Sequence, residues 1–187
     1  MLTGVILTGM DPLGASRTDA AEVLLLRQIR SMRKVCGELI VMTEEPRRLL
    51  PVVDRSVRLL SGYYAGKAPL AHLHAALSLS LGERLWVVSG SRPLLSPKAA
   101  ERLLAYGAGQ EWEALLPEKA GAVYPLPGLY RKACLPAVSA LLEKGESRLE
   151  ALAGSLKVLP VPERVWAAAG IRLEAGKPLL TLSGWDC

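Results

Sequence analysis

Met1-Leu-Thr-Gly-Val-Ile-Leu-Thr-Gly-Met-Asp-Pro-Leu-Gly-Ala-Ser-Arg-Thr-Asp-Ala20 is an apolar run that breaks into glycines and then opens a helix. Leu2 to Leu7 is aliphatic, partly β-branched and uncharged, the composition of a strand buried on both faces of a parallel sheet. Gly9 and Gly14 permit backbone angles or close approaches that a Cβ would block, and Ser16 followed by Asp19 has the spacing of a helix N-cap with an acidic third position. A helix N-terminus after such a loop presents free N–H groups and the positive end of the helix dipole, which suits phosphate. Gly9-x-x-x-x-Gly14-Ala15-Ser16 has the frame of a P-loop, with Ala15 where that motif places its phosphate-contacting lysine. The opening therefore points to an α/β fold that handles a nucleotide by some other arrangement.

Working outward, Asp19 to Lys34 reads as a helix with Val23, Leu26, Ile29 and Met32 on one face and Arg27, Arg30 and Arg33 elsewhere. Glu38 to Thr43 is a second strand and Glu44-Glu-Pro46 the loop off its carboxyl end. Arg47 to Val53 reads as a short helix interrupted by Pro51, and Val57 to Leu60 as a third strand. Ala68-Pro-Leu-Ala-His-Leu-His74 opens a helix with proline in its first turn, followed by an apolar strand from Glu83 to Ser89. Ser96-Pro-Lys98 reads as a further helix start running to Tyr106. Glu113 to Pro117 and Gly121 to Tyr124 read as strands joined by a turn containing Glu118 and Lys119, and Leu156 to Val161 as a late strand. This alternation predicts a three-layer α/β/α sandwich with a mainly parallel, Rossmann-like sheet in one domain over residues 1–187. Ligands of such sheets bind beyond the carboxyl ends of the strands, here after Leu7 and after Ser89. His72 and His74, on different faces of one helix, lack the i, i+4 spacing of a metal pair and read as structural or surface residues.

Composition narrows the class. Half of the 187 residues are hydrophobic and 22% are charged, enough to bury a substantial core. The net charge of +5 is modest; Arg27, Arg30, Arg33 and Lys34 cluster on one helix without interleaved aromatics, so a solvated face is favoured over nucleic-acid binding. Cys36, Cys134 and Cys187 are widely spaced and odd in number, which reads as reduced thiols and a cytoplasmic setting. The N-terminal apolar run has no basic lead, and no segment has the length and apolarity of a membrane span.

Gly4-Val-Ile-Leu-Thr-Gly-Met10 resembles the opening of the molybdenum cofactor guanylyltransferases, within the nucleotidyltransferases of glycosyltransferase-A type. That family opens roughly G-x-I-L-A-G-G, then R-M-G, then D-K. Gly14-Ala15-Ser16 falls on the R-M-G and Asp19-Ala20 on the D-K, so the family's arginine and lysine are both absent. Pro69-Leu70-Ala71 matches part of a G-P-L-A-G, with His72 in place of its last glycine. Pro93-Leu94 matches the end of a C-D-x-P, with Ser91 at the position of the metal-holding aspartate. The segment from Tyr124 to Gly145, with Tyr130-Arg131, matches a strand-to-helix framework, and Ser147 to Leu152 a second helix after it. Thr181-Leu-Ser183 stands where the family has an N-x-N whose asparagine helps at the metal.

The resemblance implies the glycosyltransferase-A topology, GTP as nucleotide, a molybdopterin acceptor and Mg²⁺ as cofactor. Leu7, Thr8 and Gly9 would lie against guanine and ribose, with Asp19 orienting the loop and Pro69 and Leu70 at the same site; Ser91 and Ser183 are the substituted metal positions. Arg17, Lys67 and Arg92 are basic candidates near the missing charges. Asp11, Asp19 and the more distant Asp54 are the carboxylate candidates for a relocated metal. Two readings stay open on this basis: an active nucleotidyltransferase, or an inactive relative that binds a nucleotide, the molybdenum cofactor or a protein partner in molybdoenzyme maturation. A doubly wound binding protein whose Gly9 to Ser16 loop cradles phosphate without metal is a third.

Overall fold

The computed structural model describes residues 1–8, 19–62, 64, 69–91, 96 and 98–168. Five elements form the parallel half: β1 (Leu2–Leu7), α1 (Asp19–Met32), β2 (Glu38–Met42), α2 (Pro46–Leu49) and β3 (Val57–Leu60). They are followed by α3 (Leu70–Leu79), β4 (Arg84–Ser89), α4 (Ala99–Tyr106), β5 (Ala114–Lys119) and β6 (Ala122–Val123). The chain continues through β7 (Gly128–Arg131), α5 (Leu135–Glu143), β8 (Val158–Pro162) and α6 (Glu163–Ala168). The strands form one eight-stranded sheet in the order β3-β2-β1-β4-β7-β5-β6, with β8 paired to β5. β1 is parallel to both β2 and β4, β2 to β3, and β5 to β8. β7 is antiparallel to both of its neighbours, β4 and β5.

Side chains along β1 alternate between two cores, as a pleated strand requires. Ile6 joins Leu25, Ile29 and Met32 of α1, Leu103 of α4 and Trp166 of α6 on one face. Val5 and Leu7 join Leu70, Leu73 and Leu77 of α3 and Val138 and Leu142 of α5 on the other. Because both faces are covered, β1, β2 and β4 are buried almost throughout, which explains their continuous apolar sequence. The Trp86 and Trp166 rings stack with centroids 6.2 Å apart and fasten α6 to the sheet. This is the expected three-layer, mainly parallel architecture. No helix among the described residues is long and apolar enough to cross a membrane.

The helix and turn details depart from the sequence reading in several places. In α1 the buried stripe is Leu25, Gln28, Ile29 and Met32, while Val23 is 47% exposed. A strict i+3 row drifts around a helix of 3.6 residues per turn, so its first member swings out to solvent. α4 begins at Ala99, later than Ser96, although the Ala99 N–H does bond the Ser96 carbonyl at 2.9 Å. Glu118 and Lys119 belong to β5 and pair with Val123 and Ala122. The turn is instead Ala120-Gly121, both at positive φ, 52° and 77°, the backbone a two-residue hairpin turn demands. The helix expected over Ser147 to Leu152 is a 3-10 segment, Leu149–Gly154, and the unpredicted α6 follows β8.

Candidate functional site

β1 lies between β2 and β4. The chain therefore leaves β1 toward β2 and β3 and returns past it to β4, so β1 and β4 diverge at a topological switch point, where open α/β sheets bind ligands. At this carboxyl edge Leu7 is fully buried and its carbonyl accepts from the Gly90 N–H at 2.8 Å. A Cβ on Gly90 would approach the Leu7 oxygen and the Thr8 methyl to 3.2 Å each, so the two strand ends stay close. Thr8 is fixed by two bonds to the Met42 carbonyl, from its N–H at 3.0 Å and its hydroxyl at 2.8 Å. Gln28 of α1, 3% exposed, donates to the Ser89 carbonyl at 2.9 Å and ties the helix to the end of β4.

The Ser89 and Ser91 hydroxyls lie 3.0 Å apart, and the Ser91 N–H bonds the Ser89 hydroxyl at 3.3 Å. The chain at the β4 end thus presents two neutral hydroxyls hydrogen-bonded to each other. Mg²⁺ prefers carboxylate and phosphate oxygens, and among the described residues no group of three His, Cys, Asp or Glu side chains is placed to hold a metal. The described residues at this position do not fit the ion.

Further along the same edge, Pro69 caps α3, and the Leu70 N–H is bonded to the Ser147 carbonyl at 3.0 Å. Two turns of chain converge there on His72, whose side chain is 2% exposed. Its Nε2 meets Oε1 of Glu44, from the loop after β2, at 2.6 Å, and its Cδ2 edge packs on Gly62 after β3. An ionised carboxylate only accepts, so the Nε2–H is the donor of this bond. Among the described residues the buried Nδ1 has no hydrogen-bond partner. His74 points elsewhere, to the Ser139 hydroxyl at 3.0 Å, with the Tyr64 ring edge-on at 5.4 Å; burial holds its pKa below the ordinary value.

The structure thus brings Leu7, Thr8, Ser91, Pro69 and Leu70 to one edge of the sheet. Asp54 precedes β3 at the opposite edge, where it bonds Ser56 and pairs with Arg33 at 3.5 Å. The Ser56 hydrogen bonds and Arg33 keep its carboxyl below the usual range. Gly9, Asp11, Arg17, Lys67, Arg92 and Ser183 lie outside the described residues, as does the side chain of Asp19. Cys36 and Cys134 are buried free thiols pushed up to about 12, chiefly by burial, and are therefore unreactive. Sequence reasoning missed the Glu44–His72 pair and Gln28; a glutamine inside the Leu25, Ile29, Met32 stripe was the available signal for the latter.

A mainly parallel sheet with one antiparallel strand beside β4, and a crevice where β1 and β4 diverge, defines a nucleotidyltransferase-type α/β domain. Residues 17–158 match the model of the MobA-like NTP transferase domain, and the chain belongs to that family. The molybdenum cofactor guanylyltransferase of Desulfosudis oleivorans is 22% identical over 99% of this chain and 89% of its own length. A Geobacillus protein named "Probable molybdenum cofactor guanylyltransferase" is 27% identical, over 48% of this chain and 45% of that relative's length. The molybdopterin-guanine dinucleotide biosynthesis protein A of Archaeoglobus fulgidus superposes with a TM-score of 0.66 at 19% identity, covering 87% of this chain and 83% of that one.

Proposed function

We propose that this nucleotidyltransferase-family protein binds GTP over the carboxyl ends of β1 and β4 and transfers its guanylyl group to molybdopterin. The observation that carries the reading is the family membership together with the placement of Leu7, Thr8, Pro69 and Leu70 along one sheet edge. By the resemblance Leu7, Thr8 and Gly9 would lie against the base and ribose, Leu7 through its backbone because its side chain is buried in the core, and Asp19 would orient the loop. In the reaction a phosphate oxygen of molybdopterin forms a bond to the α-phosphorus of GTP. The bond from that phosphorus to the oxygen bridging the β-phosphate breaks, and pyrophosphate leaves with that electron pair. The chain's described contribution is positioning: rigid strand ends, held by Gln28 and by the Thr8 bonds, keep the two reactants in line. Family enzymes typically depend on a divalent metal, and the described residues do not fit one.

A second reading is favoured by the Ser89–Ser91 pair. Neutral hydroxyls cannot supply the charge that draws Mg²⁺ to a triphosphate, so the same crevice suits an inactive relative that binds the nucleotide, the molybdenum cofactor or a protein partner in molybdoenzyme maturation. Calorimetric titration with GTP, with and without Mg²⁺, followed by a pyrophosphate-release assay with molybdopterin, separates the two. Binding that strengthens with Mg²⁺, with pyrophosphate released, supports transfer and a relocated metal site, for which Asp11 and Asp19 are the candidates. Binding indifferent to Mg²⁺ without release supports the second reading, and absence of GTP binding overturns the nucleotide assignment.

A further inference from the structure

Four large hydrophobic side chains are exposed among the described residues: Met1, Val23, Leu50 and Leu81. Val23 lies on α1 and Leu50 directly follows α2, and these two elements are joined where Arg48 reaches Glu22 at 3.2 Å. On α1, Val23, Arg27 and Arg30 succeed one another at spacings of four and three, so they form one stripe. All three are exposed, as are Arg47 and Leu50 on the neighbouring segment.

The charges of this face do not balance. Glu22 and Glu45 are taken up by Arg48, and Asp54 by Arg33. Arg27, Arg30 and Arg47 make no hydrogen bond or ion pair among the described residues. Among the described residues the local carboxylates are thus taken up within the fold, while three guanidinium groups surround two exposed aliphatic side chains without a carboxylate partner. Arginine beside exposed apolar groups is the composition of a protein interface, where a guanidinium offers bidentate bonds to carboxylates. A phosphate ladder would be served by a longer basic track without Glu22, Glu45 and Asp54 spaced through it.

We propose that the α1–α2 face is a docking surface for an acidic segment of a partner protein that carries leucine-type side chains between its carboxylates. Val23 and Leu50 take the apolar side chains, and Arg27, Arg30 and Arg47 take the carboxylates. The surface lies on the α1–α2 side of the sheet, the binding mode uses none of the groups assigned to the nucleotide, and it stands independently of the proposed reaction.

The test uses a fluorescein-labelled amphipathic peptide of Glu, Asp and Leu, read by anisotropy on the full chain. A Gln-substituted copy, a DNA duplex and phosphatidylglycerol vesicles serve as competitors. Binding is expected to weaken about tenfold in the double variant Arg27→Glu, Arg30→Glu, roughly threefold in Val23→Ser, and steeply with added salt. Retained affinity in the charge-reversed variant, equal binding of the Gln-substituted peptide, or stronger competition by DNA or vesicles than by unlabelled peptide would overturn the proposal. If charge reversal lowers the melting temperature, the Arg27→Ala, Arg30→Ala pair decides by the same criterion.

Discussion

At the amino ends of β1, β2 and β3 the buried Glu38 carboxylate accepts from the Thr3 hydroxyl at 2.7 Å, the Leu81 N–H at 2.8 Å and the Arg58 guanidinium. At the carboxyl ends of the same sheet the described polar side chains include the Thr8, Ser89 and Ser91 hydroxyls, Gln28 and the Glu44–His72 pair. At the amino edge, Arg58 also bonds the Leu79 carbonyl and the Gly82 N–H bonds Thr3, so charge is matched group by group and the strands are tied to the α3–β4 connection. The carboxyl edge keeps its backbone bonded and ends in two hydroxyls paired with each other and in the Glu44–His72 contact. The two edges differ in kind: one is completed by its own charged side chains, and the other ends in neutral hydroxyls and one carboxylate–imidazole pair, where the proposed nucleotide would bind.

The largest expected effect lies at the closed edge. Replacing Glu38 by Ala leaves a buried Thr3 hydroxyl, the Leu81 N–H and the Arg58 guanidinium without their acceptor. It should cost about 3 kcal/mol in urea unfolding. Burial pushes the Glu38 carboxyl up, but the bonds from Leu81, Thr3 and Arg58 outweigh it and hold the group below its ordinary value. Its folded value being the lower one, the stabilisation is fully present above the unfolded carboxylate's pKa. It is lost as pH falls through the folded value. Stability of the parent should therefore decline on the acid side of about pH 4.5 more steeply than that of Glu38→Ala. Equal acid profiles would mean that Glu38 does not hold this edge.

A smaller effect, on binding, is expected at the open edge. Ser91→Asp puts a carboxylate beside the Ser89 hydroxyl on an exposed residue, supplying the charge that a triphosphate-bound Mg²⁺ requires. GTP affinity should become Mg²⁺-dependent, rising about tenfold, or about 1.4 kcal/mol, on adding the ion. Calorimetry checks this against the parent protein. The melting temperature should stay unchanged, because Ser91 has no role in the core. A destabilised variant with no gain would show that the Ser89–Ser91 contact belongs to the fold and not to the crevice.

These edges were legible in the sequence to different degrees. The apolar runs of β1, β2 and β4 report burial on two faces, and their alternation with helices reports the layers, because both are periodic properties of adjacent residues. The resemblance at Pro69-Leu70 and at Tyr130-Arg131 indicated the order of the second half. Glu38 was invisible as a keystone: its acceptor role depends on Thr3, Arg58 and Leu81, which meet only when the strands are in register. The Glu44–His72 pair was missed for the same reason, since it joins a loop after β2 to a helix after β3. Val23 was misplaced because periodicity fixes a helix's apolar face only to within the drift of the row chosen.

The smallest effect expected is also the sharpest discriminator. Glu44→Gln keeps an oxygen that can accept from His72 Nε2 and removes only a charge on a side chain that is 65% exposed. Because Glu44 is largely solvated and the amide oxygen keeps the hydrogen bond, the stability change should stay within about 0.5 kcal/mol. What should change is the imidazole: an amide oxygen holds the Nε2 proton less strongly than a carboxylate, so the distribution of protons between the two ring nitrogens should shift. Nitrogen chemical shifts of His72 would report the tautomer in both proteins, and GTP titration would report whether the crevice uses that ring. Unchanged stability with a changed tautomer and a changed GTP affinity would make His72 part of the open edge's ligand-facing surface. A stability loss approaching that of Glu38→Ala would instead mean that the carboxyl edge, too, is held together by its own side chains, and the distinction between the two ends of the sheet would fail.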